Sequence, residues 1–207
     1  QMKLLKLLGY RGVSITELNP YLTGNKIGKV VGISFDDGYK NNIVNALPIL
    51  IKLGFTATIF IVSKNIGGLN HWDTKKGMSE HQMMNEAEIN HWIKSGMEIG
   101  SHSQNHIDLV KCSNKDAYNE IKHSKIELEN KFNVPVDNFC YPYGSFNSDI
   151  SSITKEAGYK TAVSTIRGLS KINSNPYTLR RVSVTHHTMP HLFLLKILSS
   201  YEDNRNK

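Results

Sequence analysis

Short blocks of apolar, β-branched residues alternate along this chain with longer stretches of helical period. Residues 30–35 (VVGISF) form the first block and run into Asp36-Asp37-Gly38, which predicts a strand ending in a turn. In residues 41–53, Ile43, Leu47, Leu50 and Ile51 recur at helical spacing, so one helix face is expected there. Pro48 predicts a kink or a late start for that helix, and Gly54 its stop. Residues 56–62 (TATIFIV) show no alternation at all, the pattern of a strand buried on both faces. Residues 97–101, 139–143, 161–164 and 179–184 are the remaining strand blocks. Between them, Asn85 with Glu88 opens a helix to residue 95 as a capping-box pair. Ser113 with Asp116 opens another to about residue 131, and residues 148–157 form one closed by Gly158. A last helix starts near Pro190, a residue allowed in a first turn. Residues 63–85 have no clean period and read as a long loop, functional or disordered.

Strand–helix order repeated in this way predicts a parallel sheet under helical cover. Six or seven such units in one α/β domain fit a closed or nearly closed barrel, with its chemistry on the loops after the strands. The 207 residues are expected to form that single domain, 1–207, with a motif-bearing core of about 30–184. No apolar run approaches the length of a membrane-crossing helix. Residues 2–9 (MKLLKLLG) are expected as an opening helix, since they are too short for a signal-peptide core and lack a small-residue cleavage site.

Charge changes the picture little. The net +7 comes almost wholly from residues 151–207, where nine Lys/Arg meet three Asp/Glu. A basic third could face an anionic polymer, but it carries no Lys/Arg stripe with interleaved aromatics, so no nucleic-acid partner is expected. Cys112 and Cys140 are too few for a disulfide framework, and their pairing is open.

The chemistry concentrates after the first and third strand blocks of the core. Asp36 and Asp37 follow one, and His102 and His106 follow the other. A spacing of four is expected to put both imidazoles on one side of a helical turn. Read separately, the acids make a turn, and the histidines are two of nine in the chain. Read together, two histidines and one carboxylate make a three-ligand site with an open position, the arrangement of a catalytic zinc. The other carboxylate is then available as a base.

Ser34-Phe35-Asp36-Asp37-Gly38, His102-Ser103-Gln104-Asn105-His106 and Tyr141-Pro142-Tyr143-Gly144 resemble, in order and spacing, the first three motifs of the polysaccharide deacetylases, carbohydrate esterase family 4. The likeness extends to Ala46-Leu47-Pro48-Ile49-Leu50, Gly54-Phe55-Thr56-Ala57-Thr58, Glu98-Ile99-Gly100-Ser101 and Ala157-Gly158-Tyr159. It implies a distorted (β/α)7-type barrel and metal-dependent hydrolysis of an N-acetyl group on a sugar polymer. By the same resemblance, Asp37, His102 and His106 hold the metal, zinc or another divalent ion such as cobalt, and Asp36 is the general base. The backbone N–H of Tyr143 helps the metal hold the oxyanion, and Tyr141 and Pro142 lie beside the substrate; without the other motifs, that third segment reads as an aromatic turn. Its Phe-x-Tyr-Pro-Tyr-Gly form is similar to the poly-β-1,6-N-acetylglucosamine deacetylase branch. The implied partner is an N-acetylated glycan of the cell envelope or the extracellular space.

Three positions depart from the family pattern. Ser34 replaces the commoner Thr. Cys140 stands where many members carry an Arg that orients the base, and Arg181 is expected to fill that role. The family's last Leu-x-His motif is unmatched; Leu179-Arg180-Arg181-Val182 stands in its region, with His186 and His187 beyond. Either histidine is a candidate general acid or a surface polar group. In the long loop, Trp72 is a candidate for stacking on a sugar ring or an anchor of the loop, while Trp92 is expected in the core. Alternatives are an O-acetyl ester hydrolase acting on a substrate such as acetylated xylan, and a carbohydrate-binding relic. Oligomeric state is open.

Overall fold

The apolar blocks become short parallel strands. The computed structural model describes residues 1–74, 77 and 79–206; Lys75, Lys76 and Met78 of the expected long loop, and Lys207, lie outside the described residues. Strands β1 (Arg11–Val13) and β2 (Val30–Gly32) make a two-stranded parallel ribbon. A six-stranded parallel sheet follows in sequence order: β3 (Ser34–Phe35), β4 (Thr58–Ile61), β5 (Glu98–Ser101), β6 (Asn138–Cys140), β7 (Thr161–Arg167) and β8 (Leu179–Arg181). The block expected as one strand over 30–35 is thus split at Ile33. Its N–H donates to the Val13 carbonyl and its carbonyl accepts from Thr58, each at 2.9 Å, so this residue passes the chain from ribbon to sheet.

Among the described residues β3 and β8 do not pair. The barrel expected from the sequence is therefore a curled half-barrel, open at one seam. Both faces of β4 are buried, which is why residues 56–62 show no alternation. Ile59 and Ile61 of β4 join the large core under the helices, whereas Phe60 turns inward to meet Cys140, Val163 and Leu179. Gly100 lies beneath the Phe60 ring, where a Cβ would sit 2.5 Å from a ring carbon.

Helices α1 (Met2–Leu7), α2 (Ile15–Leu22), α3 (Leu47–Leu53), α4 (His71–Thr74), α5 (Glu86–Lys94), α6 (Asn114–Phe132), α7 (Ser148–Glu156) and α8 (Pro190–Leu198) complete the chain. Helix α2 brings Ile15, with Leu22 packed alongside, to the inward-facing cluster. Asn85 and Glu88 form the expected capping box of α5. Trp92 of that helix is fully buried and donates to the Glu98 carbonyl at 2.9 Å. The start of α3 is late, as Pro48 implies: residues 42–46 form a π-helical turn and Pro48 lies in the first α-turn. That change of winding breaks the register between Ile43 and the later positions, and Ile51 faces solvent rather than the core. No helix among the described residues is long and apolar enough to cross a membrane.

Candidate active site

The carboxyl ends of β3, β5, β6 and β7 meet at one mouth of the half-barrel. Past β3 the chain turns at once, with Asp37 (φ 70°) and Gly38 (φ 83°) both left-handed. This reversal lets two adjacent carboxylates serve one site, although neighbours on an extended strand point apart. Past β5, residues 102–106 are a loop and not the helical turn expected from their spacing. Ser103 (φ 62°) and His106 (φ 54°) are left-handed, and the bend they make turns both imidazoles toward Asp37.

Asp37 Oδ1 lies 3.3 Å from His102 Nε2 and 3.2 Å from His106 Nε2. The three ligand atoms lie within 4.8 Å of one another, the spacing of a possible cation site. His102 Nδ1 is 2.6 Å from the carbonyl of Cys140, which only accepts, so that nitrogen carries the proton. In the neutral ring Nε2 then presents a lone pair to a carboxylate oxygen. Asp37 Oδ1 is buried and has no hydrogen-bond donor, so two acceptors face each other across 3.3 Å. Only a proton or a metal ion resolves that contact, and two imidazoles with one carboxylate suit a divalent ion.

The electrostatics agree. Burial acts to raise the Asp37 carboxyl, yet the His102 and His106 rings beside it, when protonated, leave it far below the ordinary carboxylate range. Burial acts to lower His102, but Cys140 and Asp37 together push it well above the usual value. His106 is lowered, chiefly by burial.

Asp36 is held separately. Arg181 Nη1 and Nη2 grip its two oxygens at 2.6 and 2.8 Å. The other guanidinium hydrogens go to the Ser164 carbonyl (2.9 Å), Ser34 Oγ (3.1 Å) and Cys140 Sγ (3.3 Å), so all five donors are used. A register shift between β7 and β8 allows this, because Val163 pairs with Leu179 while Arg167 pairs with Arg181. Burial alone would raise the Asp36 carboxyl; the charge and hydrogen bonds of Arg181 lower it on balance.

A cavity of about 170 Å³ collects Asp36, Asp37, His102 and His106, with Trp72, Tyr141 and Tyr143 among its walls. It adjoins a groove of about 780 Å³ through the shared residues Trp72, His106 and Tyr143. Trp72 stacks on the His106 ring (centroids 4.5 Å apart, 18° between planes), and Tyr143 meets it edge-on at 4.6 Å. Tyr143 sits at φ 59° in the turn after β6. Tyr141 is fully buried, its hydroxyl donating to the Tyr177 carbonyl at 2.9 Å. Pro142 is buried and lines neither cavity. His186 and His187 are exposed in a turn, their rings tilted at 42° with centroids 3.7 Å apart, and neither lines the cavities. Both cysteines are free thiols.

Two wall residues were given no role by the sequence reading. Asp73, whose carboxylate accepts from Tyr39 Oη at 2.7 Å, was signalled only by its place in the long loop. Thr165 lies one residue past the expected end of its strand, and nothing local marks it.

The mouth of the curled half-barrel thus gathers paired carboxylates and two histidines, a constellation suited to hydrolytic chemistry. The polysaccharide deacetylase family matches residues 23–162, and the chain belongs to that family. Among its relatives is YxkH of Bacillus subtilis (strain 168), assigned by name to the polysaccharide deacetylases, at 32% identity over 89% of this chain and 62% of that protein. Another is the poly-β-1,6-N-acetyl-D-glucosamine N-deacetylase of Staphylococcus aureus (strain MSSA476), 28% identical over 93% of this chain and 67% of that one. The chain thus spans about two thirds or less of the length of these relatives. In structure it is similar to the Streptococcus pyogenes deacetylase PplD in complex with acetate (TM-score 0.82, 25% identity, 95% and 83% of the two chains). It shares its fold with IcaB from Ammonifex degensii (TM-score 0.81, 21% identity, 92% and 84%).

Proposed function

We propose that this domain removes N-acetyl groups from an N-acetylglucosamine-containing glycan, with a divalent metal, zinc by preference, held by Asp37, His102 and His106. The reading is carried by the Asp36 carboxylate, gripped by Arg181 beside a cluster whose acceptors need a proton or a metal ion between them. When bound, the ion supplies the positive charge that acidifies water and polarises the acyl oxygen. Asp36 takes the proton of the attacking water. Arg181 keeps that carboxylate ionised and fixes its direction, a pairing of the kind that raises catalytic efficiency by orientation. The Tyr143 backbone N–H belongs to the turn beside the acyl oxygen and donates to it as charge develops. Because His186 and His187 lie outside the cavity walls, the proton taken up by Asp36 is the one returned to the leaving nitrogen, giving acetate and a free amine. Trp72, packed flat on His106, shapes the site and shares the wall of the adjoining groove, where neighbouring sugars of a polymer are accommodated. The substrates fitting this reading are envelope or extracellular glycans.

Amide and ester substrates separate this reading from O-deacetylation. Acetate release from β-1,6-linked N-acetylglucosamine oligomers should exceed that from acetylated xylan, and Asp36→Asn should abolish it while retaining metal. Faster release from the xylan would replace the amide reading with the ester one.

A further inference from the structure

The metal-ligand loop has no regular structure of its own, yet it holds two non-glycine residues in left-handed backbone, Ser103 and His106. Each costs about 1–2 kcal/mol and persists only where the surroundings over-determine it. Two elements hold this loop: the chain past β4, whose Ser63 and Lys64 N–H groups donate to the Ser103 and Gln104 carbonyls at 3.2 and 3.1 Å, and one face of α6. Positions 120, 124 and 127 share that face by helical spacing. Glu120, only 8% exposed, accepts from two consecutive backbone amides, Gln104 at 3.1 Å and Asn105 at 2.9 Å, and from the Asn105 side chain. Ser124, fully buried, donates to the Ser103 carbonyl at 3.1 Å. Glu127 accepts from the side chains of Gln104 and Ser63, tying the loop to the chain past β4. Among the described residues no Lys or Arg forms an ion pair with Glu120, so its buried charge is directed at the loop's amides. Within the loop, only His106 N–H to Ser103 Oγ at 3.0 Å crosses the bend.

We infer that Glu120 and Ser124 are positioning residues for the metal site: they hold the bend that carries His106 Nε2 to Asp37 opposite His102 Nε2. Cation affinity is then set on α6 as well as by the ligands themselves. The inference rests on the metal reading of the Asp37, His102 and His106 cluster.

The test is zinc affinity, measured on the chelator-stripped full chain by competition with a chromophoric chelator, together with the melting of each metal-free protein. Glu120→Gln removes the charge-assisted hold on the amides and should weaken zinc binding about 10–100-fold. Ser124→Ala removes the hydrogen bonds to the Ser103 carbonyl and to Ser101 Oγ, and no charge. It should weaken zinc binding to a lesser degree while the metal-free protein still melts cooperatively, which separates bracing from simple attraction between Glu120 and the cation. Unchanged zinc affinity in both variants, with normal binding by the unaltered chain, overturns the inference alone. So does weakened affinity found only in a variant that has lost its cooperative metal-free melt, since the role would then be folding. Absence of zinc binding by the unaltered chain overturns the metal reading and the inference with it.

Discussion

Arg181 directs every donor it has to the neighbourhood of Asp36, and that decides how the proposed base behaves. Arg181→Ala should lower kcat by about 10²-fold, the scale of a misdirected catalytic group. Arg181→Lys should not rescue it, because an ammonium cannot form the two-point fork. A pH profile carries a further sign. With Arg181 present the Asp36 carboxyl is lowered, so the base stays ionised and the acid limb of kcat/KM lies below the ordinary carboxylate range. Without it, burial is unopposed by the guanidinium and the limb should move to higher pH. An unmoved limb would mean that another group is the base. At this scale the gathering of Asp36, Asp37, His102 and His106 was legible, since residue type and spacing marked both segments. The proton on His102 was not, because it is set by the backbone carbonyl of Cys140, 38 residues away.

The turn after β6 shows how an element serves the site. Tyr143 and Gly144 are consecutive left-handed residues, and a Cβ on Gly144 would lie 1.9 Å from Thr165 Oγ1. Gly144→Ala should therefore destabilise the fold by about 1–3 kcal/mol and lower kcat more than it raises KM, because it shifts Tyr143. Adding Thr165→Ala removes the Oγ1 and Cγ2 contacts but leaves the residue-165 Cβ 2.6 Å from the new one and the backbone conformation unchanged, so thermal melts should show only partial recovery; full recovery would leave φ without a role. Capped helices such as α5 and α6 were legible from their first residues. Strand β1 was not, since Arg-Gly-Val offers too little apolar pattern, and the bend at 102–106 was read as helical because Ser103 and His106 give no compositional sign of positive φ.

Across the whole molecule, the open seam of the half-barrel is bridged by the Arg181 side chain from β8 to Ser34 of β3 and Asp36 just past it. The family match ends at residue 162, so this bridge is supplied by the C-terminal part of the chain. That part is pinned in turn. Glu202, fully buried, accepts from Arg167 at 2.6 and 3.1 Å and pairs with Lys196 at 3.1 Å, while Lys196 donates to the Ser183 carbonyl just past β8. Hydrogen bonds from Arg167, then Lys196, hold the Glu202 carboxyl below its ordinary value against the opposing effect of burial. Its folded value is thus lower than the unfolded one of about 4.3, so its stabilisation is complete above that pH and is lost as pH falls through the folded value. Urea unfolding should place Glu202→Gln below the unaltered protein at neutral pH, with the gap closing under acid; a gap independent of pH would contradict the ion-pair account.

The most direct test of the central claim is acetate release from N-acetylglucosamine oligomers by chelator-stripped protein, before and after zinc is restored. The account predicts no release without metal and recovery with it, lost again in Asp36→Asn. Equal release with and without metal, or none from zinc-loaded protein, would contradict it.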